Sequence, residues 1–121
     1  MLNQLTIAEL TARLAHRDVS AREATQACLD RIARIDAQLH AFLSCSAADA
    51  LAQADAADKQ LAAGGNHARQ PLLGVPIAIK DVIAVKGQPL NCGSKILGNF
   101  ISPYDATVIE KLKAAGAVVF G

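Results

Sequence analysis

Aromatic residues are the scarcest class in this 121-residue chain: they make up 3% of it, as three phenylalanines and one tyrosine, with no tryptophan. Flat side chains on which nucleic-acid bases could stack are therefore few. There is also no large excess of either charge, since the formal net charge is +1, and the lysines and arginines form no cluster. Without a basic surface for phosphates, the composition argues against direct binding of RNA or DNA by these residues.

Long apolar segments are also missing. The N-terminal sequence MLNQLTIAEL has no basic leader followed by an apolar segment. No run approaches the roughly 18 apolar residues of a membrane span. We therefore expect a cytoplasmic protein that makes no membrane contact.

Cysteine and histidine are few, and their spacing fits neither a disulfide framework nor a metal site. The residues are Cys28, Cys45, Cys92, His16, His40 and His67. An odd number of cysteines without a CxxC pair predicts reduced thiols, and scattered histidines predict no metal site. Cys92, in the glycine loop NCGS, is a possible thiol nucleophile, but no histidine follows it in the chain. Neither GxGxxG nor GxxxxGK followed by Ser or Thr occurs, so no nucleotide-binding loop is predicted.

The N-terminal half carries the start signals of two capped helices. Thr6 with Glu9, and Ser20 with Glu23, form capping boxes that predict helix starts just after Thr6 and Ser20. The first helix should end near Arg17, where the chain turns a corner. The residues expected to face the core are Ile7, Leu10 and Leu14 in the first helix and Cys28, Ile32, Ile35 and Leu39 in the second.

A third helix is predicted to begin after Ser46 and to end at the pair Gly64-Gly65. Its narrow apolar seam consists of Ala50, Ala54, Ala57 and Leu61. An exposed linker follows, in which we expect His67 to be solvated. The predicted organisation is therefore helical over 1–65, a linker over 66–70 and the start of a sheet over 71–121.

Residues 71–81, PLLGVPIAIKD, place a charged pair directly after an apolar strand. Ile77, Ala78 and Ile79 leave no polar position on either face, as in a strand buried on both sides of a parallel sheet. Lys80 then stands at the carboxyl end of the strand, where ligands bind in open α/β sheets. The alternative is a lysine that lays its stem along the sheet edge and keeps its ammonium in water.

The C-terminal part predicts a long loop, a helix and a second strand. Asp105 is placed to cap a helix over 106–115, and Gly116 is placed to end it. The residues of this helix that we expect to point inward are Val108, Ile109 and Leu112. Residues 117–120 form a second apolar strand, so the two strands and the helix make one right-handed βαβ unit.

Two strands that are apolar on both faces need neighbouring strands and helical cover on each side. The three leading helices are too few to supply both covers. We therefore expect residues 1–121 to be the incomplete N-terminal portion of a single larger α/β domain.

Several short motifs resemble the opening part of the amidase signature family. They are GVPIAIKD, CGSKIL, the pair NF and PYDATVIEKLKAAGAVVFG, and the similarity is tight from Leu73 onward. The resemblance implies an α/β/α fold around a large mixed sheet and a serine, cis-serine, lysine triad that hydrolyses amides. Val85 and the run QPLN at 88–91 depart from a more threonine-rich family pattern, which bears on loop contacts and substrate choice.

The resemblance implies a role for Lys80, which matches the triad lysine at the far end of the proton relay. The two serines belong to a glycine- and serine-rich stretch downstream of these residues, and Ser94 lacks such surroundings. Lysine with its ordinary pKa of about 10.4 is a poor base at neutral pH, so the role requires that Lys80 be buried. Asp81 would oppose the role if it faced the ammonium, so we expect it to turn away and tie down the following loop.

Within the family, the match is nearest to the glutaminase subunits of tRNA-dependent amidotransferases. This implies a subunit that frees ammonia from glutamine, while a partner subunit uses ATP and magnesium to activate mischarged Glu-tRNA(Gln) or Asp-tRNA(Asn). The implied partners are the B and C subunits of a heterotrimer, and no cofactor is implied in this chain. The alternatives are a stand-alone amidase for small amides and a non-catalytic truncated product. The 121 residues alone are expected to be inactive.

Overall fold

The computed structural model describes residues 1–121 and contains four α-helices and two short strands. After a 3-10 turn at Leu2–Gln4, the order is α1 (Ile7–His16), α2 (Ala21–Leu39), α3 (Ala47–Ala62), β1 (Pro76–Ala78), α4 (Thr107–Ala114) and β2 (Val118–Phe120). The predicted α/β class and the order of three helices followed by strand, helix and strand are confirmed. None of the helices is long and apolar enough to cross a membrane.

Both predicted capping boxes are present. Thr6 and Ser20 accept from the backbone N–H groups of Glu9 and Glu23, and each glutamate accepts in return from the backbone of its cap residue. These hydrogen bonds hold the pKa of both glutamates below its usual value. Arg17 ends α1 in the left-handed conformation, with φ 61°. The boxes could be predicted because every partner lies within three residues.

The start of α2 is also held by α3. The two carboxylate oxygens of Asp58 accept from the N–H groups of Ala21 and Arg22 at 2.7 and 3.0 Å. The Arg22 guanidinium forms an ion pair with Asp55 at 2.6 Å. Negative charge at a helix N-terminus is favourable, so α3 fixes both the position and the direction of α2.

The predicted core faces of α1 and α2 are partly wrong. Leu10 and Leu14 are buried, whereas Ile7 is 53% exposed. The buried residues of α2 are Ala21, Ala24, Thr25 and Leu29, while the predicted row of Cys28, Ile32, Ile35 and Leu39 is half-buried at best and Leu39 is 62% exposed. The packed face is set by Ala21 and Ala24, whose small side chains meet Ala54 and Ala57 of α3.

The prediction for α3 is confirmed, but the prediction for His67 in the linker is wrong. Ala50, Ala54 and Ala57 are buried, and Gly64 has the positive φ of 94° expected after a helix end. His67 is half-buried instead of solvated, because its Nε2 lies 3.0 Å from the carbonyl oxygen of Leu73. The turn at 66–70 therefore packs against the segment that enters β1.

The two strands form the predicted parallel pair, joined through α4. The register sets Pro76 against Val118, Ile77 against Val119 and Ala78 against Phe120. Gly116 has a φ of 88°, and a Cβ atom there would lie 2.7 Å from the Leu73 Cα. The turn from α4 into β2 therefore needs glycine for both conformation and space.

The predicted burial is confirmed for β2 and is wrong for β1. β2 is buried throughout, but Ile77 and Ile79 are only partly buried and Ala78 is exposed. Full burial instead falls just before β1, at Leu73 and Val75. Val118 packs with the cluster from α1, α2 and α3, and Val119 packs with Ile109 of α4 and with Val85. Helices thus cover β2 on both faces, and α4 supplies the cover that the leading helices do not.

Asp105 does not cap α4. The N-cap is Ala106, whose own N–H donates to the Ala84 carbonyl, so Asp105 lies one residue too early. Its carboxylate accepts from the Lys86 N–H at 2.7 Å and pairs with Lys113 at 2.8 Å, and these contacts hold its pKa below the usual value. The inward residues of α4 are Ile109 and, in part, Leu112, while Val108 is 47% exposed.

The outer edge of β2 is occupied by a side chain of α3. The Gln53 amide donates to the Val119 carbonyl and accepts from the Val119 N–H, both at 2.9 Å. These are the two backbone groups that a neighbouring strand would otherwise pair. Gln53 therefore satisfies the edge of β2 at Val119 and joins α3 to the sheet.

Gln53→Ala should lower the free energy of unfolding by about 1–3 kcal/mol, because both Val119 groups lose their partner. Gln53→Glu should cost at least as much, since its second oxygen would face the Val119 carbonyl. Urea denaturation monitored by circular dichroism measures both effects. Gln60→Ala is the matched control, an exposed glutamine of the same helix, and equal losses at the two positions would contradict the proposed edge contact.

Candidate active site

Lys80 follows β1 by two residues, as predicted. Ile79 still donates to the Phe120 carbonyl at 3.3 Å, and the chain then turns sharply, with the Lys80 carbonyl accepting from Val82 and Ile83 at 2.8 and 3.0 Å. The Lys80 side chain is exposed. Residues 1–121 therefore place Lys80 at the carboxyl end of the strand, as predicted, but they do not bury it.

A cleft of about 660 Å³ opens at this strand end, and Lys80 lines it. One wall is the connector between α2 and α3, residues 41–44. The base is the strand end at 78–81 together with Gly121. The opposite wall comes from the loop after the strand, through Ile83, Val85, Gln88, Pro89, Asn91 and Gly98. Four separate parts of the chain thus meet around the lysine.

The connector wall is held by an aromatic stack. Phe42 lies on Phe120 with ring centroids 6.0 Å apart and planes 11° from parallel. The N–H groups of Ala41 and Phe42 donate to one carboxylate oxygen of Asp36 at 2.8 and 3.3 Å. Phe42 therefore packs the connector against β2, whereas Leu43 is 73% exposed.

The loop wall is an ordered hairpin. Gly87 donates to Ser102 at 2.8 Å, Ser102 to Gln88 at 3.0 Å and Leu90 to Phe100 at 3.0 Å, with an antiparallel bridge between Pro89 and Ile101. We call residues 87–102 the hairpin. The sequence predicted a long loop here, because its proline and glycine residues are typical of loops and the hydrogen bonds of the hairpin join residues that are distant in sequence.

Asp81 turns away from Lys80, as expected. One carboxylate oxygen accepts from the Asn91 N–H at 3.0 Å, which ties the strand end to the hairpin. The other oxygen is buried and has no hydrogen-bond partner. The ion pairs of the chain join Arg22 to Asp55 and Lys113 to Asp105, so Asp81 does not neutralise Lys80.

The alternative nucleophiles do not line this cleft. Cys92 sits in a tight turn with φ 51°, and neither it nor Ser94 lines the cleft with Lys80. Burial raises the pKa of the half-buried Cys28 thiol, in keeping with a packing role. No group of three or more His, Cys, Asp or Glu residues could hold a metal ion. The strand-end cleft is therefore the candidate active site.

Comparison with known proteins decides the family. Residues 23–121 match the family model described as Amidase. The chain belongs to the amidase family. The predicted resemblance is thereby confirmed, and the amidase match covers β1, Lys80, the hairpin, α4 and β2.

Curated amidase relatives include two bacterial proteins that are each named as the A subunit of glutamyl-tRNA(Gln) amidotransferase. The one from Geobacter sulfurreducens is 51% identical over 120 residues, which is 99% of this chain and 24% of the relative. The one from Pseudomonas aeruginosa is 53% identical over 121 residues, which is 100% of this chain and 24% of the relative. The chain thus spans about a quarter of the length of the curated relatives it matches.

Solved amidase structures share this fold. The native peptide amidase from Stenotrophomonas maltophilia aligns with a TM-score of 0.88 and 34% identity, over 98% of this chain and 24% of that one. The A subunit of glutamyl-tRNA(Gln) amidotransferase from Thermotoga maritima aligns with a TM-score of 0.68 and 30% identity, over 100% of this chain and 23% of that one. The predicted α/β fold class is confirmed by these neighbours.

Proposed function

We propose that this chain forms the N-terminal part of the glutaminase subunit of a tRNA-dependent amidotransferase, with Lys80 as the lysine of its amide-hydrolysing triad. The observation that carries the proposal is 51–53% identity to curated amidotransferase A subunits over nearly the whole chain. Residues 1–121 would then be an incomplete part of one amidase domain, with a helical portion over 1–65, a linker over 66–70 and the start of the sheet over 71–121.

The position of Lys80 supports its proposed role. A lysine at the carboxyl end of a strand lies where α/β sheets bind their ligands, and the cleft leaves room for a small amide. In the triad, a serine attacks the amide carbon, ammonia leaves, and water then hydrolyses the acyl-serine. The lysine accepts the serine proton through the cis-serine and returns a proton to the leaving nitrogen.

A lysine can act as a base at neutral pH only when it is shielded from water, because shielding lowers its pKa. Lys80 is exposed in residues 1–121. We therefore propose that further residues of the longer protein cover the cleft and bring the two serines to Lys80. The connector and the hairpin would form the sides of the closed site.

The proposal extends to a heterotrimeric complex in the cytoplasm. The B subunit would use ATP and magnesium to activate the mischarged tRNA, and the ammonia freed here would form Gln-tRNA(Gln) or Asn-tRNA(Asn). The C subunit would assist assembly. ATP, magnesium and tRNA would all bind through partners, in keeping with the small net charge and the few aromatic residues of this chain.

A stand-alone amidase for small amides is the second candidate. The observation that favours it is the higher TM-score with the peptide amidase, 0.88, than with the Thermotoga amidotransferase protein, 0.68. Purifying the complete protein with and without partner subunits distinguishes the two. Full turnover of small amides without partners would favour the stand-alone enzyme.

Lys80→Ala in the complete subunit should lower kcat for glutamine hydrolysis by about a hundredfold to ten-thousandfold, as expected for a lost general base. Lys80→Arg should be almost as impaired, since guanidinium keeps its proton at any working pH. Ammonia release at saturating glutamine measures both effects, and thermal melting checks that each variant folds.

Lys95 provides the matched control for these variants, because it is exposed and does not line the cleft. Lys95→Ala and Lys95→Arg should both keep normal turnover. If Lys80→Arg also turned over glutamine normally, Lys80 would be a strand-end lysine with its ammonium in water and would have no part in the mechanism.

The 121-residue chain alone should release no ammonia from glutamine or from small amides, because the triad serines are not among its residues. A coupled glutamate dehydrogenase assay on the purified chain measures this directly. Any ammonia release by the purified chain would mean that a nucleophile lies within residues 1–121.

A further inference from the structure

We propose that Asp81 is a positioning residue for the amide site, and that it acts as a tether between the strand end and the hairpin rather than through its charge. This inference rests on the proposed function, because it assigns a part of the same cleft. Asp81 would set the distance between Lys80 and the wall that faces it.

The tether joins the two ends of the segment 81–91. The Asp81 carboxylate accepts from the Asn91 N–H at 3.0 Å, ten residues along the chain. At the start of this segment the chain turns, with the carbonyl of the preceding Lys80 accepting from Val82 and Ile83. The segment enclosed by this bond supplies Ile83, Val85, Gln88 and Pro89 to the cleft wall.

The hairpin has few other attachments near Lys80. Its own strands are held together by backbone bonds, such as Leu90 to Phe100, and Asp105 binds the Lys86 N–H at the far end. No other hydrogen bond joins residues 78–83 to residues 87–102. Without the Asp81 bond, the hairpin could stay folded and still shift as a unit relative to Lys80.

The direction of the Asp81 carboxylate indicates that its negative charge does not act on Lys80. A carboxylate pointed at the Lys80 ammonium would favour the protonated lysine and oppose its use as a base. Asp81 instead directs one oxygen to Asn91, and its second oxygen is buried without a partner. A neutral amide of the same shape can accept the same N–H and is less costly to bury than a charge.

The test compares Asp81→Ala with Asp81→Asn in the complete subunit. Asp81→Ala should lower kcat/KM for glutamine about a hundredfold, the effect of misplacing a site wall by about 1 Å. It should also speed hydrogen exchange of the peptide covering 82–91, measured by mass spectrometry. Asp81→Asn should restore most of kcat/KM and return the exchange to the wild-type rate, because the Asn91 N–H keeps its acceptor.

Asp105→Ala is the matched control. Asp105 ties the same segment through the Lys86 N–H, but neither of these two residues lines the Lys80 cleft. We expect this variant to melt at a lower temperature and to keep its kcat/KM below that temperature. A role in stability alone would make Asp81→Ala behave in the same way.

Two results would overturn the tether. One is a normal kcat/KM in Asp81→Ala. The other is an Asp81→Asn variant whose kcat/KM falls as far as that of Asp81→Ala while its hydrogen exchange stays at the wild-type rate, because this result would assign the effect to charge. Failure of the proposed function is seen separately. An active Lys80→Arg enzyme would remove the lysine from catalysis but would leave the exchange comparison between the two Asp81 variants intact.

Discussion

The parallel pairing of β1 with β2 is the contact on which the whole cleft depends. It sets Ala78 beside Phe120, so that the exit of β1 toward Lys80 and the exit of β2 toward Gly121 lie at the same edge. Phe120 also stacks on Phe42, and this contact holds the connector wall against β2. A slip of the register by one residue would turn Phe120 to the other face and remove that wall from Lys80.

The pair of strands is short, and its stability comes from the segments around it. Gln53 satisfies the outer edge of β2, and the close contact between Gly116 and Leu73 joins the turn before β2 to the segment before β1. Val118 and Val119 then face the two helical layers in turn. Contacts from α3 and from the turn before β2 add to the few hydrogen bonds that strands of three residues can form with each other.

The features that could be predicted from sequence are those whose partners are local. The capping boxes at Thr6 and Ser20 require residues only three positions away, and the helix stop at Gly64 requires one positive φ. The position of Lys80 after an apolar run is local in the same sense. The family motifs then added a role for Lys80 that spacing alone left open between a site and a solvated lysine.

The features that could not be predicted depend on distant partners. The buried face of α2 is chosen by the alanines of α3, Asp105 is drawn from its expected cap to Lys86 and Lys113, and His67 is fixed by the Leu73 carbonyl. The exposure of Lys80 is of the same kind. Whether a strand-end lysine is buried is decided by whatever lies across the cleft, and residues 1–121 contribute only its base and two sides.

The departures from the family pattern differ in what they can affect. Val85 is 5% exposed and packs with Ile109, Ala117 and Val119, so an apolar residue there fits a small core cluster that a hydroxyl would disturb. The run at 88–91 instead supplies Gln88, Pro89 and Asn91 to the cleft wall, and Asn91 is the residue that Asp81 holds. Amidases of different substrates share this fold, so the fold does not select the amide. Of the two departures, the run at 88–91 is the one that faces Lys80, and it is held both by the bond from Asn91 to Asp81 and by the bond from the Gln88 N–H to the Val85 carbonyl.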